Sequence, residues 1–254
     1  MTTTTPRFLW ALAANSLHPP DHSWFTALIV AAILLTLPAQ GRSQFQSLAT
    51  SVFETDPGSF LACLNSHNRP VTAELKAAAV VSFEASLPDG GEIKNLNPAE
   101  RRKLAVLPRV LQIHQRDSVY EIRVLALPQA AVGFYARAVL WISRPALDLL
   151  SAEQLQGAVA HELGHDYLWA ETRAAQESKN YRQLREIELF CDAVGMMTLK
   201  SAGLSASHML AGVKKLADFN QPRFGTALNA KSYPSLAERR KLARQVIRWA
   251  AGVY

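Results

Sequence analysis

The stretch GAVAHELGHDYLW, residues 157–169, constrains this chain more than any other. Ala158, Val159, Ala160 and Leu163 describe a helix with little polar surface, one that is stable only when covered on most sides. The same helix places His161, Glu162 and His165 within five residues. Unpaired polar groups are costly to bury, so these three need a reason to be there. Residues four apart lie on one helix face, so His161 and His165 point the same way and can hold one Zn²⁺. Glu162 is turned off that axis. It can reach a water on the metal but is not placed to coordinate together with both histidines. This is the H-E-x-x-H arrangement, with the glutamate as general base.

Two histidines do not complete a catalytic site, which takes three protein ligands and keeps one open position. A second long helix, expected over about 182–202, contains REIELFCDAVGMM. Glu188 and Asp192 share one of its faces, and Leu189, Val194, Met196 and Met197 make the rest apolar. One carboxylate of such a pair can ligate, and the other can accept a hydrogen bond from a metal-bound imidazole. Alternatively the two are surface acids facing Arg185 or Lys200. Glu186 is a rival ligand, about 160° around the helix from Glu188 and without an acidic partner one turn on.

Around these helices the pattern predicts a mostly helical α+β chain. Helical periodicity covers 44–64, broken at Pro57-Gly58, and 70–87, with Pro70 suited to a helix start. Residues 88–98 read as a loop, and Asn97 as the N-cap of a short helix opened by Pro98. Residues 119–127 alternate like a half-buried strand, and 136–143 form a second strand. The PQAAVGFY between them suits a hairpin or a wider connection. Ser151 with Gln154 caps the histidine helix, expected over 152–169. A polar stretch, ETRAAQESKN, follows it. Further helices are expected over 206–218 and 236–250, with a loop, FNQPRFGTALNAKSYP, between them.

The sequence resembles the HtpX-like and CAAX-prenyl-protease group of zinc endopeptidases, gluzincins of metallopeptidase family forty-eight. The likeness rests on LLSAEQLQGAVAHELGH at 149–165 and ELFCD at 188–192, where Cys191 stands in place of a usual alanine. It extends over about 119–245. It implies a zincin-like fold, with a small sheet whose edge strand flanks the zinc helix and binds the substrate backbone. It implies His161, His165 and Glu188 as ligands of one Zn²⁺, Glu162 as catalytic base and Asp192 as the residue orienting a ligand histidine. Where the family often has H-P-x-x-x-x-R, this chain reads YPSLAER, with Tyr233 in the histidine's place and Arg239 matching the arginine. A tyrosine there can donate to an oxyanion or simply pack before Pro234. The implied partner is a polypeptide lying extended along an edge strand, expected within 136–143. The alternative is a zinc-stabilised binding or chaperone-like protein without turnover.

Residues 24–37 are 14 residues without a charge, followed by Pro38, Ala39, Gln40 and Gly41. That is short for a membrane span and resembles an export signal cleaved after Gly41. An uncleaved N-terminal anchor is the alternative. The expected organisation is a leader over 1–41 and one metallopeptidase domain over 42–254, with 42–118 as a helical extension and 119–254 as the catalytic core. The expected location is periplasmic or extracellular, with no membrane span left after processing. Two cysteines, Cys63 and Cys191, allow one disulfide but no disulfide scaffold. The net charge of +6 is scattered, and ERRK at 100–103 and 238–241 reads as solvated helix faces, not as a nucleic-acid surface.

Overall fold

The computed structural model describes residues 57–66, 71–88, 90–224 and 231–250. The expected leader over 1–41, and Pro70, lie outside them. Among the described residues no helix is long and apolar enough to cross a membrane.

The chain is mostly helical, with one small mixed sheet. Helix α1 (Pro57–Ser66) starts at the Pro-Gly pair. Helix α2 (Ala73–Ser86) is capped by Thr72, whose hydroxyl accepts from the Leu75 N–H. Helix α3 (Pro98–Leu104) starts on a full capping box between Asn97 and Glu100. A short α4 (Leu107–Ile113) follows. Such caps contribute about 1 kcal/mol each.

Strand β1 (Glu121–Leu125) pairs parallel with β3 (Val139–Ser143), and β2 (Val132–Tyr135) pairs antiparallel with β3. The order is therefore β1-β3-β2, and the expectation of an edge strand within 136–143 is overturned. β3 is bonded on both sides, and all five of its residues are buried. The edge on this side is β2, which the sequence left as a connection because Gly133 weakens its strand signal. That glycine is required: a Cβ there would come within 2.6 Å of the Trp141 ring, its cross-strand neighbour. The outer edge of β1 is partly covered, because the Ile93 N–H donates to the Val124 carbonyl and the Ala126 N–H to that of Gly91.

Helix α5 (Arg144–Leu149) leads to α6 (Ala152–Tyr167), which starts on a second capping box, Ser151 with Gln154. Much of the polar stretch after it forms helix α7 (Trp169–Glu177). Its Ala, Glu, Gln and Arg residues are good helix formers, and Glu171 and Ala175 bury one face. Helix α8 (Tyr181–Ser201) packs along α6. Helix α9 (Ser207–Phe224) runs six residues past its expected end at 218, through Pro222. Asn220 explains the extension: its amide donates to the Ala130 carbonyl and accepts from the Ala130 N–H, tying the helix to the chain before β2. Helix α10 (Leu236–Ala250) closes the fold.

Two cores meet at α6 and α8. One joins α8 to Phe60 and Leu64 of α1 and to Ala243 and Val246 of α10. The other joins α6 to the sheet and to Leu107, Val110 and Leu111 of α4. Helices α1 and α4 thus share cores with the later helices, whereas Phe83 of α2 packs on Leu125, Leu127, Val139 and Trp141. Glycines set the spacing between α6 and α8. A Cβ on Gly164 would fall 2.7 Å from the Cys191 Cα, and one on Gly195 would fall 3.1 Å from the Gly157 carbonyl oxygen. No disulfide joins Cys63 and Cys191.

Candidate metal centre

The close crossing of α6 and α8 brings Glu188 onto the histidine pair. Its Oε1 lies 3.3 Å from His165 Nε2, and its Oε2 lies 3.6 Å from His161 Nε2. A charged hydrogen bond would close to about 2.7–2.9 Å, so this carboxylate stands off both rings. Two atoms bound to one tetrahedral zinc at about 2.0–2.1 Å are about 3.3 Å apart. Each of the two spacings is thus close to that of a ligand pair on one metal. The imidazole centroids are 5.1 Å apart, with the ring planes at 74°.

The outer nitrogen of His161 is already engaged. Its Nδ1 bonds Asp192 Oδ1 at 3.0 Å, which leaves Nε2 turned to Glu188. Asp192 is fully buried, and its Oδ2 has no hydrogen-bond partner. His165 Nδ1 is likewise buried without an oxygen or nitrogen partner.

Arg239 joins this cluster from α10. One of its Nη groups donates to Glu188 Oε2 at 3.1 Å, and the other donates to Asp192 Oδ1. Only 6% of Arg239 is exposed, so the second ERRK is not a solvated face at this position. The first is not fully solvated either, because Glu100 is buried and pairs with Arg144 at 2.7 Å. A charge run looks solvated when each residue is read alone. The buried residue is identified only by the partner the fold brings to it.

Burial raises the Glu188 carboxyl, but His165, His161 and Arg239 more than offset this and hold it at about 2. It is an anion ready to ligate. Burial also raises Glu162, against the pull of both imidazoles and with help from Glu188, so its carboxyl lies above the ordinary range. For His165, burial opposes the charged ring, whereas Cys191 and Glu188 favour it and hold its pKa well above the usual value.

Tyr233 is placed at the same cluster, partly buried ahead of Pro234. Burial, then the charges of Glu188 and Glu162, push its hydroxyl well up, so it stays protonated. Glu186 is turned away: it is exposed and accepts from Arg182 Nε at 3.0 Å. Arg185, the alternative partner for Glu188 and Asp192, instead holds Glu238 at 2.6 Å.

Cys191, in an apolar run of α8, is a further donor. One donor atom from each of His161, His165 and Cys191 falls within 4.8 Å of the others. Two third ligands are thus in reach. Glu188 suits the role better, because it is already ionised and faces both Nε2 atoms. Burial, with Glu188 and Glu162 nearby, pushes the Cys191 thiol up to about 11 despite the pull of His165.

Compared with protein-family models, curated proteins and solved structures, the chain finds no match in any of the three.

Proposed function

We propose that this chain is a zinc-dependent endopeptidase with a zincin-like core. The observation that carries the reading is the Glu188 carboxylate standing 3.3 and 3.6 Å from the two Nε2 atoms, near metal-edge spacing and longer than an ordinary charged hydrogen bond. His161, His165 and Glu188 would hold the ion. Asp192 fixes the His161 tautomer, as partners of metal-bound histidines commonly do. Zinc bound here would supply a water of lowered pKa and polarise the scissile carbonyl.

Glu162 takes the proton of the attacking water and returns it to the leaving amine. Its raised pKa suits an acceptor that must also give the proton back. The protonated Tyr233 hydroxyl donates to the oxyanion. The polypeptide lies extended along β2, the edge strand beside α6. Export to the periplasm or the outside, with an N-terminal anchor as the alternative, rests on the apolar stretch 24–37 alone.

A second reading is a zinc-stabilised binding or chaperone-like protein. The placement of Cys191 favours it, because histidine and cysteine together are the donors of closed structural zinc sites. One experiment separates the two: zinc content and casein cleavage of the wild type and of Glu162→Ala. The endopeptidase reading expects about one zinc per chain in both, with cleavage falling by about 10²–10⁴-fold in the variant. Zinc-loaded wild type that cleaves neither casein nor unfolded peptides sinks it.

A further inference from the structure

Asp166 follows His165 directly and is 3% exposed. Three groups converge on its carboxylate. Arg137 Nε donates to Oδ1 at 2.6 Å, the Tyr120 hydroxyl donates to Oδ2 at 2.8 Å, and the Arg116 guanidinium pairs with Oδ2 at 2.8 Å.

Arg116 is itself 1% exposed, so it already balances the Asp166 charge in the interior. Arg137 is not needed for that. Its place in the chain suggests what it does. Arg137 and Ala136 form the turn between β2 and β3, with φ of 58° and 46°. Turns with two successive left-handed residues favour Asn and Gly, because a Cβ is strained there. An alanine and an arginine persist in such a turn only when the surroundings over-determine it. The Arg137–Asp166 contact is one such constraint. Tyr120 supplies the second hold: its ring stacks on Phe134, in the middle of β2, at 4.5 Å and 29°. One carboxylate on the histidine helix therefore grips the edge strand at its turn and at its centre.

We infer that Asp166 is a positioning residue for the extended substrate: through Arg137 and Tyr120 it sets the register and height of β2 over the metal helix. This rests on the endopeptidase reading above. It assigns to the residue after the second histidine a role in substrate binding, not in metal binding. Asp166→Asn is a poor test, because it strands Arg116 in the core. Arg137→Ala leaves the Arg116 pair intact, and Tyr120→Phe removes only a hydroxyl.

The test uses the zinc-loaded full chain and an internally quenched peptide that the wild type cleaves. Arg137→Ala is expected to raise KM by roughly tenfold with kcat within about twofold, the signature of lost substrate binding. Zinc content and melting temperature should stay at wild-type values. Tyr120→Phe should shift KM in the same direction by less. Arg137→Lys, which keeps a cation against Asp166, should recover most of the loss. A fall in kcat at constant KM, unchanged constants, or no recovery with lysine overturns the inference. If Glu162→Ala still abolishes cleavage in that case, the endopeptidase reading stands without it. A zinc-loaded wild type that cleaves no peptide overturns both.

Discussion

Helices α6 and α8 enclose two polar clusters, and the two are finished differently. His114, just past α4, is fully buried and each of its ring nitrogens faces a hydroxyl: Nδ1 that of Tyr167 at 3.0 Å and Nε2 that of Thr198 at 2.7 Å. On the same two helices, His161 and His165 direct Nε2 at a carboxylate that stands 3.6 and 3.3 Å away. Asp192 Oδ2 and His165 Nδ1 are buried without an oxygen or nitrogen partner, and the Cys191 thiol lies beside the His165 ring. Buried polar groups are normally paired, and an unpaired one costs about 1–3 kcal/mol. The His114 cluster therefore reads as part of the scaffold. The His161–His165 cluster instead keeps buried polar atoms that the protein leaves without a close partner, which is what the endopeptidase proposal builds on. The contrast lies not in residue type but in what each nitrogen is left to do.

The largest expected effect comes from removing the cation that holds the open cluster together. In Arg239→Ala, Asp192 and Glu188 lose their buried arginine partner, which should cost about 3–5 kcal/mol in zinc-free protein. Bound zinc supplies positive charge to the same carboxylates, so the loss measured by urea unfolding should shrink when zinc is present. An equal loss with and without zinc would mean that Arg239 serves the scaffold and the two clusters are alike.

Gly164→Ala tests the spacing between the helices. Its Cβ would meet the Cys191 backbone at 2.7 Å, so α8 must move. About 1–3 kcal/mol of destabilisation is expected from overpacking, together with weaker zinc binding by titration calorimetry because Glu188 rides on α8. Unchanged zinc affinity would detach the third ligand from the helix crossing.

The closed cluster makes a pH prediction. Burial, then the charge of Arg116, lowers the His114 pKa to about 3. The unfolded chain takes up this proton near pH 6.5, and the folded one does not. Its contribution is therefore fully present above that pH and is lost as pH falls toward 3, by up to about 1.4 kcal/mol per pH unit. Between pH 7 and 5, His114→Gln should lose less stability than the wild type in urea unfolding. Parallel slopes would show that His114 titrates freely. The smallest effect is expected from Glu186→Ala. This glutamate is exposed and paired only with Arg182, so stability should stay within about 0.5 kcal/mol, with zinc content unchanged. A drop in zinc would move the third ligand to the wrong face of α8.

Much of this was legible in the sequence, for local reasons. The caps at Asn97 and Ser151 depend on residues three apart, and the common face of His161 and His165 depends only on helical geometry. Glu188 and Asp192 stood out because carboxylates are costly on an apolar helix. Other features depend on partners distant in sequence. The ERRK run at 238–241 hid Arg239, which only the docking of α10 brings to Glu188 and Asp192, 51 and 47 residues away. Asn220 extends α9 through a bond 90 residues back, and Cys191 comes to His165 only because Gly164 lets the helices meet.

The sheet shows the same division. Alternation in 119–127 and the apolar run to Ser143 identify two strands, because side-chain period is a local property. Their order is not local. Which strand is central depends on where backbone donors and acceptors pair after the hairpin folds back, and that put β3 in the middle and β2 at the edge. By itself the sequence determined which residues share a helix face, His161 with His165 and Glu188 with Asp192. The tertiary structure decided which carboxylate faces the histidines, which arginine restrains it and which strand is left open beside them, because burial and pairing at those points come from segments far apart in the chain.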